Sequence, residues 1–134
     1  MENGKWKIVH NDPHNRRITA KTPIHLNWDT PIKEKSTVIG THSNCSGGIT
    51  PWKTFLTCEE NYDQFYGETE RLNDGSTYHR PSAFGWENFY KYPPEHYGWV
   101  VEIDPKNGAV QKHVALGRFA HECCTLFQLY ITSS

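Results

Sequence analysis

The segment from Tyr97 to Leu116 constrains the fold more than any other. Trp99, Val101 and Ile103 recur at every second position of Tyr97–Asp104, the period of a strand with one buried face. A second arm, Ala109–Leu116, follows across Pro105, Lys106, Asn107 and Gly108. Asn107 and Gly108 tolerate the positive φ that such a connection needs, so the segment predicts a β-hairpin.

Other stretches carry the same period. Lys5–His10, with Trp6 and Ile8, predicts a strand, as does Ser36–Thr41. Trp52–Cys58 predicts a half-buried one, with Trp52, Thr54, Leu56 and Cys58 facing one way and Lys53, Phe55 and Thr57 the other. Cys124–Ile131 is apolar enough for a buried strand, but no partner follows it. An unpaired apolar edge invites aggregation, which predicts a chain truncated at its C-terminus. Between these elements, residues 67–94 are polar, aromatic and rich in turn formers, and read as one long variable loop of the kind that is functional or poorly ordered. With 13% aromatic residues, ten glycines and a single methionine, the chain is expected to be mainly β and to form one domain over residues 1–134.

The balance of charge narrows the partners. A net charge of −1, with basic residues scattered among acidic ones, argues against nucleic acid or a membrane surface and leaves a small anionic substrate open. No apolar run is long enough to cross a bilayer, and Met1 is followed by polar residues without the pattern of a signal peptide. As it stands, the chain would remain in the cytoplasm, or its natural N-terminus is missing. Cys45, Cys58, Cys123 and Cys124 lack the paired spacing of a structural zinc site, and the adjacent Cys123 and Cys124 read as buried thiols.

Three clusters hold residues that could do chemistry. In "GTHSNCSGGITPW", Cys45 precedes Ser46, Gly47 and Gly48, which allow a tight turn and close approach to a ligand, and thiolate is a metal-binding group. An isolated cysteine is more often an inert thiol, and spacing alone does not lift Cys45 above that. In "TCEEN", Glu59 and Glu60 end an apolar strand and point to opposite sides, so one carboxylate at a time faces a site. Carboxylates there suit hard cations, although a solvated acidic turn is commoner. In "ALGRFAHEC", Arg118 can hold phosphate through its fork while His121 and Glu122 are ordinary metal ligands; an Arg–Glu surface pair with a structural histidine fits equally. No nucleophile elbow, P-loop or His-Glu-x-x-His helix is present.

These segments, in order, resemble the PhoX alkaline phosphatase family: "WKIVHNDPHNRRITAKTP", "VIGTHSNCSGGITPWKTFLTCEENYDQFYG", "HYGWVVEIDP" and "VALGRFAHE". The resemblance implies a β-propeller, of which this chain would be an incomplete part of about one to two blades with long loops. It also implies an exported, periplasmic or secreted, metal-dependent hydrolase of phosphate monoesters with iron and calcium at its centre, monomeric when complete. Carried over by residue, Cys45 matches an iron-binding cysteine and Glu122 a carboxylate shared by the metals. Glu60, or Glu59 in its place, matches a further metal ligand, and Asn27 a phosphate-contacting asparagine. Arg118 joins Asn27 as a candidate for binding substrate.

The sequence also departs from the pattern. Thr37 stands where a phosphate-holding lysine is expected, with Lys33 and Lys35 as possible substitutes, and Lys53 stands where glycine is usual. The remaining ligands lie on blades this chain lacks, so the isolated chain is expected to be inactive. A non-catalytic metal- or ligand-binding propeller relative and a decayed gene product without activity are the alternatives.

Overall fold

The computed structural model describes residues 4–127. The expected hairpin is its centre: β7 (Val100–Ile103) runs antiparallel to β8 (Val110–His113), with Val100 opposite His113 and Ile103 opposite Val110. The Asp104 amide donates to the Ala109 carbonyl at 2.9 Å, and the Asp104 and Asn107 side chains cap the amides of Lys106 and Ala109. Gly108, at φ 77°, takes the positive φ of this turn, and Asn107 does not.

β4 (Phe55–Glu59) pairs antiparallel with β7, and β3 (Asn44–Ile49) antiparallel with β4. On the other side, β1 (Pro23–Asn27) lies parallel to β8 and carries β2 (Thr37–Ile39) antiparallel at the edge. The resulting six-stranded sheet has the order β2-β1-β8-β7-β4-β3. Ile24, Leu26, Val38, Leu56, Cys58, Val100 and Val101 fill its core. β4 alternates as its sequence predicts, with Leu56 and Cys58 buried and Phe55 exposed. At β7, Val100, Val101 and Glu102 are all buried, so the middle of the sheet is covered on both faces.

Residues 67–94 are better ordered than a long loop. After a helical turn, α1 (Asp63–Tyr66), the chain forms a two-stranded hairpin of β5 (Glu68–Arg71) and β6 (Thr77–Arg80). Its turn is closed by the Leu72 amide on the Ser76 carbonyl at 2.8 Å and by Asp74 bonding Ser76. Trp86 and Tyr92 of this segment join Phe65 in flanking a second core of Tyr62, Tyr66 and Tyr97. Tyr66 and Tyr97 stack at 4.6 Å between centroids, and such pairs contribute about 1 kcal/mol each beyond area burial.

Four other expectations are corrected. Lys5–His10 forms no strand beyond a single bridge at Lys5, and Trp6 and Ile8 are 89% and 77% exposed, so the alternation in this segment faces no core. Trp52 and Lys53 belong to a turn closed by the Lys53 amide on the Thr50 carbonyl, so the strand starts at Phe55. Cys123 is exposed and Cys124 half-buried rather than both buried. Cys124–Phe127 is not a strand, and residues 128–131 of that expected element lie outside the described residues. Among the described residues, no helix is long and apolar enough to cross a membrane.

Candidate functional site

The three clusters read from the sequence meet at one peptide. β3 and β4 keep register at Asn44–Glu59 and again at Gly47–Thr57, with a shift between. Cys45 and Ser46 therefore stand together opposite Cys58, a β-bulge of the kind that re-aims a side chain. Cys45 is exposed there, on an edge strand and not in a turn. The glycine beside it serves close strand approach: a Cβ on Gly47 would collide with the Leu56 carbonyl.

The Glu60 amide donates to the Ser43 carbonyl at 3.1 Å, two residues before Cys45. The Glu59 carbonyl accepts the His121 amide at 3.1 Å, one residue before Glu122. Two backbone bonds thus hold the segments of Cys45 and Glu122 on either side of the Glu59–Glu60 peptide.

Glu59 and Glu60 have different fates. The Glu59 carboxylate is fully buried, accepting Lys112 Nζ at 2.8 Å on Oε1 and the amides of Gly98 and Trp99 at 3.0 and 3.1 Å on Oε2. Lys112, also fully buried, donates to the His96 carbonyl at 2.9 Å and lies over the Tyr97 ring. Burial pulls the Lys112 pKa below its ordinary value, against the opposing pull of Glu59. Glu60 is half-buried and Glu122 exposed. Among the described residues neither their carboxylates nor the Cys45 thiol carry an ion pair or side-chain hydrogen bond.

Thiolate with carboxylates is a donor set that suits iron and, through oxygen, calcium. Among the described residues no three His, Cys, Asp or Glu side chains are grouped closely enough to hold an ion.

Of the candidates for substrate binding, Asn27 is exposed at the end of β1, beside His113. Arg118 is engaged internally: its fork grips Glu68 at 3.0 Å through both terminal nitrogens, Nε donates to the Tyr97 carbonyl at 2.8 Å and Nη2 to that of Pro94 at 2.7 Å. Thr37 is exposed on β2 and Lys33 pairs with Glu95 at 3.0 Å. His121 is buried with Nε2 on the Gly117 carbonyl at 3.0 Å.

Glu102 and His42 are among the buried polar groups that escaped the sequence reading. Glu102, midway along β7, takes Trp52 Nε1 and His113 Nε2 at 2.6 Å each and Gln111 Nε2 at 2.9 Å, with Thr54 Oγ1 alongside. Burial raises its pKa, but the four side-chain bonds outweigh it and hold the carboxyl down at about 2. It lines a cavity of about 340 Å³ with His25, Thr54, Asp104 and Gln111. The signal was a lone carboxylate inside the apolar run Trp99–Ile103. His42, three residues before Cys45, packs its ring on Phe65, Tyr66, Trp86 and Tyr97. Both its nitrogens lack partners among the described residues, and burial, assisted by the Lys112 charge, pushes its pKa down to about 3. Tyr66 and Trp86 also line a larger aromatic cavity of about 650 Å³ with Lys21, Ile39, Tyr90 and Tyr92.

Comparison with known proteins gives a consistent result. The family model for alkaline phosphatase PhoX matches residues 1–129. Among solved structures, Pseudomonas fluorescens PhoX in complex with vanadate, a transition state analogue, is similar at 31% identity and a TM-score of 0.68. The match covers 92% of this chain and 26% of that one, so the chain spans about a quarter of the length of the protein it resembles. No curated protein matches. With its motifs in the family's order and its backbone in that of a solved member, the chain belongs to the PhoX alkaline phosphatase family.

Proposed function

We propose that this chain contributes part of the metal centre of an exported phosphomonoesterase, with Cys45, Glu60 and Glu122 as its ligands. The observation that carries the reading is the convergence of their three segments on the Glu59–Glu60 peptide. Glu60 is preferred to Glu59 because the Glu59 carboxylate is consumed by Lys112 and two amides. Iron would draw on the Cys45 thiolate and calcium on the two carboxylates; bound there, such ions polarise phosphoryl oxygens and stabilise charge in an in-line displacement. The protein's own residues supply position. Asn27 can donate its amide to a phosphate oxygen, whereas Arg118, with most of its N–H groups spent on Glu68, Tyr97 and Pro94, holds the 117–122 segment in place.

The vanadate complex of the Pseudomonas protein supports a phosphate ester as substrate. The antiparallel run β3-β4-β7-β8 has the strand number of one propeller blade, which supports the propeller reading and an active site completed by other blades. A second reading, a non-catalytic metal- or ligand-binding relative, is favoured by Thr37 in place of the expected lysine and by the engagement of Arg118.

Grafting the chain into Pseudomonas fluorescens PhoX in place of its matching segment tests the proposal. The folded chimera should hydrolyse p-nitrophenyl phosphate and lose roughly a hundredfold in turnover on Cys45→Ser. A folded, active chimera indifferent to Cys45→Ser, Glu60→Gln and Glu122→Gln would overturn the ligand assignment, and a folded chimera without turnover would favour the non-catalytic reading.

A further inference from the structure

The cysteines form a group that the phosphatase reading does not use beyond Cys45. Cys58 is fully buried at the bulge of β3 and β4. Cys124 packs against the cluster of Leu56, Cys58 and Val100. Its carbonyl lies beside Gly48, whose partner in register is Leu56, two residues from Cys58 on the same face of β4. Cys124 is therefore the thiol best placed to meet Cys58, and it belongs to the segment that presents Glu122.

We propose that Cys58 and Cys124 are a disulfide-forming pair, closed by exchange with a small-molecule disulfide. The half-buried Cys124 thiolate attacks one sulfur of the reagent, forming a mixed disulfide and expelling one small thiolate. Cys58 thiolate then attacks Cys124 Sγ, forming the protein disulfide and expelling the second small thiolate. The two protein sulfurs lose two electrons, the reagent gains them, and the thiol protons pass to solvent. The bond would fasten the 117–125 segment to β4 and leave the exposed Cys45 free for its ligand role. It would close a long loop and so remove much freedom from the unfolded chain.

The test is incubation of the reduced chain with oxidised glutathione in mildly alkaline buffer, followed by thiol counting under denaturing conditions and peptide mapping. The expected product has two of its four thiols left, lacks two hydrogens in mass, yields a cross-linked peptide joining Cys58 to Cys124, and melts about 10 °C higher than the reduced form. Cys124→Ser, a half-exposed position that leaves the core thiol in place, should show neither the cross-link nor the rise. Four thiols retained, glutathione adducts alone, or a cross-link joining any other pair would each overturn the proposal. The peptide map of the parent chain decides the matter even where a variant does not fold.

Discussion

Lys53 shows how one residue can bear a cost that the backbone makes visible. Its φ is 72°, in the region where a Cβ is crowded and glycine is at ease. Lys53→Gly should stabilise the chain by about 0.5–1 kcal/mol, the relief of strain outweighing the extra freedom of the unfolded state; urea denaturation measures it. His42 carries a cost of another kind. Its folded pKa of about 3 lies below the ordinary 6.5, so between those values the unfolded chain binds a proton that the folded one refuses. Its contribution is intact above about pH 6.5 and is lost as pH falls toward 3, by up to about 1.4 kcal/mol per pH unit. Replacing His42 by Phe should flatten that decline in the denaturation midpoint, while the separate acid loss from Glu102, whose carboxyl sits at about 2, persists below about pH 4.5.

At the scale of elements, the buried Glu59–Lys112 pair ties β4 to β8 across the intervening β7. Lys112→Met strands a buried carboxylate and should cost about 3–5 kcal/mol, whereas a Glu59→Leu, Lys112→Met double variant should recover much of that stability; thermal melting of both distinguishes pairing from packing. The contrast is the Arg80–Glu70 pair on the β5–β6 hairpin, where both partners are exposed and Arg80→Ala should leave the melting temperature nearly unchanged. The sequence made the β7–β8 hairpin legible because period and turn agree there, and it exposed β4 through Leu56 and Cys58. It concealed β3, whose Cys-Ser-Gly-Gly run has the composition of a turn and is held as a strand by pairing with β4. It also concealed β1, whose five residues form a strand only between β2 and β8. The aromatic residues of 67–94 misled for a related reason, since Trp86 packs on His42 and Phe84 on Phe65, partners that precede the segment. At the candidate site the residue types could be read at Cys45, Glu60 and Glu122. The retirement of Glu59 into the core could not, because it depends on Lys112, 53 residues away.

For the whole molecule, the sheet presents donors without enclosing them: Cys45 stands on an edge strand and Glu122 on an exposed segment. The chain alone is therefore expected to show no metal-dependent turnover of p-nitrophenyl phosphate, measured with iron and calcium supplied. The parallel seam between β1 and β8 has its own consequence for biosynthesis. β1 leaves the ribosome before its neighbour, which follows only after some 86 further residues, the interval from Asn27 to His113. At about 5–20 residues per second, the β1–β2 hairpin waits roughly 4–17 seconds with Ile24 and Leu26 unsheltered, which makes the nascent β1–β2 hairpin the natural point of engagement for a chaperone.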